Sequence, residues 1–216
     1  FQINGFDVLS LSMSGIGYNV DNNVNFPGMG DFNSKVLPSG DGIHGFYSTF
    51  FDPLNPDKKP LSLFLSGNYY LILKLLSENS YNEIVMVGIS GGGWYTTFLS
   101  AIIPEINTSY SFSGTVPMSL RIISGNKGDY EQSRSVIFKK IDYWDLYYLS
   151  TIDKFNNKNR KSFHIYNTND SIFNDPAATL MKEVSDKLND DNLKFITLNN
   201  PEHRIDTAFL FSHYLK

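Results

Sequence analysis

Within Ile84-Val85-Met86-Val87-Gly88-Ile89-Ser90-Gly91-Gly92-Gly93-Trp94, an apolar run gives way to glycines and then to an amphipathic segment. The run Ile84–Val87 has the composition of a buried strand. Trp94, Phe98, Leu99, Ile102 and Ile103 recur at helical spacing and predict a helix from about Gly91. Between them, Gly88-Ile89-Ser90-Gly91-Gly92 fits G-x-S-x-G, in the strand-to-helix context that gives this pattern meaning. A serine on so tight a turn projects its hydroxyl outward. Gly88 and Gly92 are expected there because they lack a Cβ that would collide across the turn. The Gly91 amide, next in the chain, is placed to meet a developing oxyanion, helped by the positive end of the helix. Two plainer readings compete: a turn that only starts a helix, and a phosphate cradle. A P-loop is disfavoured because no Lys-Ser or Lys-Thr follows the glycines.

Outward from this stretch, strand-like and helix-like segments alternate, which predicts an α/β fold with a mostly parallel sheet flanked by helices. On the N-terminal side, Asp7–Met13 reads as a strand and leads into the Gly15–Gly17 turn. A long Asn-, Gly- and Pro-rich loop runs to about Pro60, and a helix over 61–78 carries Leu65, Tyr69, Ile72 and Leu76 on one face. On the C-terminal side, strands are expected at Ser109–Val116, Ser162–Tyr166 and Leu193–Leu198. Asp175-Pro176 reads as an N-cap and first helical position, opening a helix that buries Leu180, Met181, Val184 and Leu188. A last helix is expected over Ile205–Leu215. Residues 118–160 are mixed and aromatic, with the polar stretch Gly128–Gln132 and a basic stretch Asn157–Lys161.

The 216 residues suit a single domain over 1–216. With 41% hydrophobic and 19% charged residues, the chain has the composition of a folded globular protein. A net charge of −4 without a basic run argues against nucleic acid and an anionic membrane surface as partners. No apolar stretch is long enough to span a bilayer. The absence of cysteine excludes disulfides, thiolate catalysis and thiolate zinc sites. Asn107-Thr108-Ser109 is a glycosylation sequon, relevant only to a secreted protein. The chain opens Phe1-Gln2-Ile3-Asn4, with neither an initiator Met nor a signal-peptide pattern, which leads to the expectation of a processed product or a fragment.

A serine hydroxyl needs a base, and the base needs an orienting carboxylate. His203 falls between the last strand and the last helix, in a loop at the carboxyl end of the sheet where ligands bind in open α/β folds. His213 sits inside the last helix and His164 inside a strand, where packing explains them better. His44 precedes the serine, the wrong order for the base of such a turn, and is kept as a candidate substrate contact. For the acid, Asp170 lies immediately beyond the strand 162–166. Asp175, the runner-up, already serves as an N-cap.

Ser90, Asp170 and His203, in this order and each at a strand end, make the chain resemble the α/β-hydrolase superfamily. The resemblance implies a serine hydrolase without metal or cofactor. Ser90 would attack an acyl carbonyl, His203 would shuttle the proton, and Asp170 would hold the imidazole. The expected substrate is a carboxylic ester of a small or medium molecule; a thioesterase, peptidase or acyltransferase is not separated from this by sequence. Residues 118–160 correspond to the place of a lid or cap insertion. The strand whose following loop supplies a second oxyanion amide in the family has no counterpart. Either residues before Phe1 carry it, which is the favoured expectation, or Gly15 and Gly17 form a substitute contact. That gap keeps a non-catalytic binding module open as an alternative, with anion binding at the helix N-terminus as a third.

Overall fold

The computed structural model describes residues 6–13, 23–26, 30–33, 60–124, 128–133, 136–152, 160–170, 173, 176–188 and 190–214. Two compact units divide the chain, Phe1–Leu75 and Leu76–Lys216. In the first unit, β1 (Asn23–Phe26) and β2 (Gly30–Asn33) form an antiparallel pair. They fall in the stretch that sequence reading treats as loop: Asn23–Phe26 alternates polar and apolar residues over only four positions, and Gly30–Asn33 does not alternate. The strand expected at 7–13 does not form: residues 6–13 join neither sheet. Val8 and Leu9 are exposed there, so the apolar run is not matched by a partner strand that would bury it. Helix α1 (Pro60–Glu78) matches its expected span, and the unit boundary falls within it.

The second unit is a four-stranded, all-parallel sheet with flanking helices, in the order β3 (Val85–Ile89), β4 (Thr108–Phe112), β5 (Lys161–Asn167) and β6 (Leu193–Leu198). The connections carry α2 (Gly91–Ile102), then α3 (Met118–Ser124), α4 (Tyr130–Ser133), a 3₁₀ turn (Val136–Lys139) and α5 (Tyr143–Leu149), then α6 (Ala177–Leu188). Helix α7 (Thr207–Tyr214) follows β6. Because the strands are parallel and in chain order, all four carboxyl ends lie along one edge.

Period-two alternation assigns each sheet face its cover. In Thr108-Ser109-Tyr110-Ser111-Phe112, Tyr110 and Phe112 join Ile165 of β5 and Leu210 of α7 in one core cluster. The serines face the other way. Ser109 Oγ donates to Ser162 Oγ at 3.1 Å, and Ser111 Oγ donates to the Gly93 carbonyl of α2 at 2.9 Å. Small side chains let α2 lie close to the sheet: a Cβ on Gly93 would stand 2.7 Å from the Phe112 carbonyl oxygen, and one on Gly114 would stand 2.4 Å from Gly93 C. Helix α2 is buried from Gly93 through Ser100. Thr96 and Thr97 satisfy their hydroxyls on the Gly92 and Gly93 carbonyls, at 2.9 and 3.1 Å.

Several expectations are corrected. β4 ends at Phe112 rather than Val116, because Ser113 turns to φ 46°. Helix α6 buries Ala178, Met181 and Ser185, while Leu180, Val184 and Leu188 are exposed. Ser185 explains the shift, since its hydroxyl accepts the Phe195 amide at 3.2 Å and so turns that face to the sheet. The sequon at Asn107 is structural: Asn107 Oδ1 accepts the Ile84 amide at 2.8 Å, and Thr108 and Ser109 are buried in β4. Within the basic stretch, Arg160 is fully buried. Its guanidinium donates to the carbonyls of Ile106, Leu149, Ile152, Ser100 and Ile103, gathering orphan carbonyls at the ends of α2 and α5.

Tyr143, Leu146 and Tyr147 of α5 belong to the core. Trp94 Nε1 donates to Tyr143 Oη at 3.1 Å, and Tyr143 Oη donates to the Gln132 carbonyl at 2.9 Å. Tyr143 and Tyr147 are fully buried. In the polar stretch at 128–132, Asp129 is exposed but Glu131 and Gln132 are buried, and Arg121 Nη2 donates to Gln132 Oε1 at 2.9 Å. His164 is enclosed between Tyr147, with ring centroids 4.0 Å apart, and Phe195. Burial lowers its pKa to about 3, so it stays neutral and structural. Among the described residues, no helix is long and apolar enough to cross a membrane.

Candidate active site

Ser90 stands between β3 and α2, in the N-cap position of the helix, with φ 55° and ψ −121°. A non-glycine residue at positive φ is uncommon and is held only where its surroundings over-determine it. Here the Ser90 amide donates to the Phe112 carbonyl of β4 at 2.9 Å, and its carbonyl accepts the Trp94 amide at 2.9 Å. Serine is favoured at N-caps because its hydroxyl accepts a bond from the first helical amides. Ser90 makes no such bond. A serine present only to start the helix would cap it, so this hydroxyl is not accounted for by helix initiation.

The glycines act differently from expectation. A Cβ on Gly88 would lie 2.1 Å from the Gly92 carbonyl oxygen, so that position does require glycine. At Gly92 a Cβ would meet nothing within 4 Å. The collision across the turn involves Gly92 backbone, not its Cα substituent, and the second crowded glycine is Gly93. Gly91 is the first residue of α2, whose first amides have no acceptor within the helix.

Asp170 lies just beyond β5 and is fully buried. Its Oδ1 accepts the Phe173 amide at 3.0 Å. Its Oδ2 accepts Ser113 Oγ at 3.4 Å and His203 Nδ1 at 2.6 Å. An ionised carboxylate only accepts hydrogen bonds, so it pairs with His203 through a protonated Nδ1. The His203 side chain is 16% exposed, whereas that of Asp170 is fully buried.

His203 comes from the loop after β6, which is tied to the turn after β5. The Thr168 amide donates to the Leu198 carbonyl at 2.8 Å, and Asn169 Nδ2 donates to Asn199 Oδ1 at 2.6 Å. Asp206 closes the loop by capping α7, its Oδ1 accepting the Phe209 amide at 2.9 Å. A continuous set of contacts therefore runs along the carboxyl edge. The Ser90 amide meets Phe112, the next residue Ser113 meets Asp170, and Asp170 meets His203. Asp170, from beyond β5, reaches the end of β4, the strand beside the one that leads into Ser90.

Of the expected site residues, the structure brings Asp170 and His203 into contact and puts Ser90 and Gly91 on the same sheet edge. Gly15, Gly17, His44 and the alternative acid Asp175 lie outside the described residues. His213 is exposed on α7 and stacks on Phe209, with centroids 4.1 Å apart. Sequence reading missed Ser113 and Asn167. The Ser113-Gly114 dipeptide directly after β4 is a turn signal that marks the first. Among the described residues, no group of three or more His, Asp or Glu side chains is arranged to hold a metal ion. No protein-family model, curated protein or solved structure matches the chain.

Proposed function

We propose that this chain is a serine hydrolase of the α/β-hydrolase type that cleaves a carboxylic ester through an acyl-enzyme. The observation that carries the reading is the Asp170–His203 pair, 2.6 Å apart, standing beyond the same sheet edge as a serine at φ 55° that does not cap its helix. Ser90 Oγ attacks the acyl carbon while His203 Nε2 takes its proton. Asp170 stabilises the imidazolium that forms and fixes its tautomer. The Gly91 amide and the α2 N-terminus stabilise the oxyanion. His203 returns the proton to the leaving alcohol, and water then repeats the sequence to release the acid.

The chemistry calls for no metal or cofactor. Under this reading the substrate enters at the carboxyl edge of the sheet, and a lid or cap would come from segment 118–160. Helix α5 belongs to the core through Tyr143 and Tyr147.

Stoichiometric labelling with a fluorophosphonate, with the modified residue mapped by mass spectrometry, tests the proposal. Labelling at Ser90 that is lost in His203→Ala supports it. A chain that takes up no label, or takes it up elsewhere, refutes it.

A further inference from the structure

Asn167, the last residue of β5, bonds the Asp170 amide through its backbone and the two residues flanking His203 through its side chain. Its carbonyl accepts the Asp170 amide at 3.1 Å, which sets the turn that carries the acid. Its side-chain Nδ2 donates to the carbonyl of Glu202 at 2.8 Å and to that of Arg204 at 3.2 Å. These two carbonyls flank His203. Asn167 is 1% exposed, so both bonds form in a water-poor setting where they are strong and directional.

The amide orientation is fixed by chemistry. Reversing it would set the side-chain oxygen against two carbonyl oxygens, with no donor between them. In the orientation present, Oδ1 is buried with no hydrogen-bond partner among the described residues. Leaving a buried acceptor unmatched is unfavourable, and the arrangement retains it while using both amide protons on the His203 loop. A residue that served the sheet alone would have no reason to be an asparagine here, since β5 already completes its ladder to β6 through backbone at this register.

We infer that Asn167 is a positioning residue that sets His203 against Asp170. This rests on the serine-hydrolase reading for its catalytic consequence, though not for its geometric one. Its side chain needs to touch no substrate. It holds the main chain on both sides of the base, so that Nδ1 meets Oδ2 at 2.6 Å and Nε2 is presented in one direction.

Asn167→Asp tests this, because it keeps the size and removes both donors. Two measurements are made on the whole chain: the downfield proton resonance of His203 Nδ1–H, and the second-order rate of fluorophosphonate labelling at Ser90. Asn169→Ala is the control, as it removes an exposed link between the same two loops that does not touch the residues flanking His203. The inference expects Asn167→Asp to lose the resonance and to label about 100-fold more slowly, the scale of loss from a misplacement of about 1 Å. Asn169→Ala should keep the resonance and label within about 3-fold of the parent.

If Asn167→Asp keeps both resonance and rate, the inference is overturned. Equal losses in Asn169→Ala would overturn it as well, since any loop tie would then suffice. Should Asn167→Asp fail to fold, Asn167→Ser, which keeps one donor on a shorter side chain, must give an intermediate rate with a shifted resonance, and parental values for both would refute the role. A parent chain that shows the resonance but takes no label sinks the hydrolase reading alone. The resonance in Asn167→Asp then decides the positioning role.

Discussion

The amide of Ser90 donates to the carbonyl of Phe112 across 2.9 Å, so the end of β4 holds the turn that carries Ser90. The same strand end continues into Ser113, which reaches Asp170. Support for Ser90 and for Asp170 thus comes from adjacent residues, Phe112 at the end of β4 and Ser113 just beyond it. The bond to Phe112 is one of two backbone bonds that hold Ser90 at φ 55°.

That backbone strain predicts a trade between stability and reactivity. Ser90→Gly removes the Cβ that makes positive φ unfavourable, and it should stabilise the chain by about 1 kcal/mol or more. For a chain of this size that corresponds to a rise of roughly 2–4 °C in the unfolding midpoint. Labelling by a fluorophosphonate should vanish in the same variant. A midpoint that falls would show that the conformation is not strained.

Asp170→Asn keeps the shape of the acid and removes the charge that holds the Nδ1 proton. An amide nitrogen turned toward His203 favours the opposite tautomer, in which Nε2 can no longer accept the serine proton. The labelling rate should drop by about 10⁴-fold, as in other triads altered at this position, with little change in circular dichroism. A loss of less than 10-fold would remove Asp170 from the reaction.

The glycines of the turn should separate cleanly. Gly88→Ala drives a Cβ to 2.1 Å from the Gly92 carbonyl oxygen, which is backbone and cannot swing away. It should destabilise by about 3 kcal/mol or more. Gly92→Ala finds open space inside a helix and should stabilise by about 0.5–1 kcal/mol. Thermal unfolding of the two variants checks the pair, and equal effects would contradict the geometry.

His164 predicts an acid sensitivity unrelated to the site. Its pKa falls from 6.5 to about 3 through burial. Between those values the unfolded chain binds a proton that the folded chain does not. Stability therefore declines as pH drops through that window, by at most about 1.4 kcal/mol per pH unit from this group, and is unaffected by it above 6.5. Denaturant unfolding of His164→Gln between pH 4 and pH 7 should show a shallower decline than the parent. Parallel curves would mean that His164 is not buried neutral.

The sequence by itself determined the local grammar of this protein. The apolar runs specify β3, β5 and β6, and helical spacing specifies α1 and α2. The G-x-S-x-G pattern sets the turn between strand and helix, because each of these depends on residues near in the chain. The positions of Asp170 and His203 were legible for the same reason, each standing past a readable strand. What the tertiary structure decided is whatever depends on residues far apart. It selects the Ala178, Met181 and Ser185 face of α6 over the more apolar one, and it makes Gly93 crowded and Gly92 free. It also buries Arg160 among carbonyls and sets Asn167 on the backbone flanking His203. A hydrogen bond between residues 35 apart in the chain leaves no periodic trace in sequence, because nothing in local propensity records which loop will lie beside a given strand end.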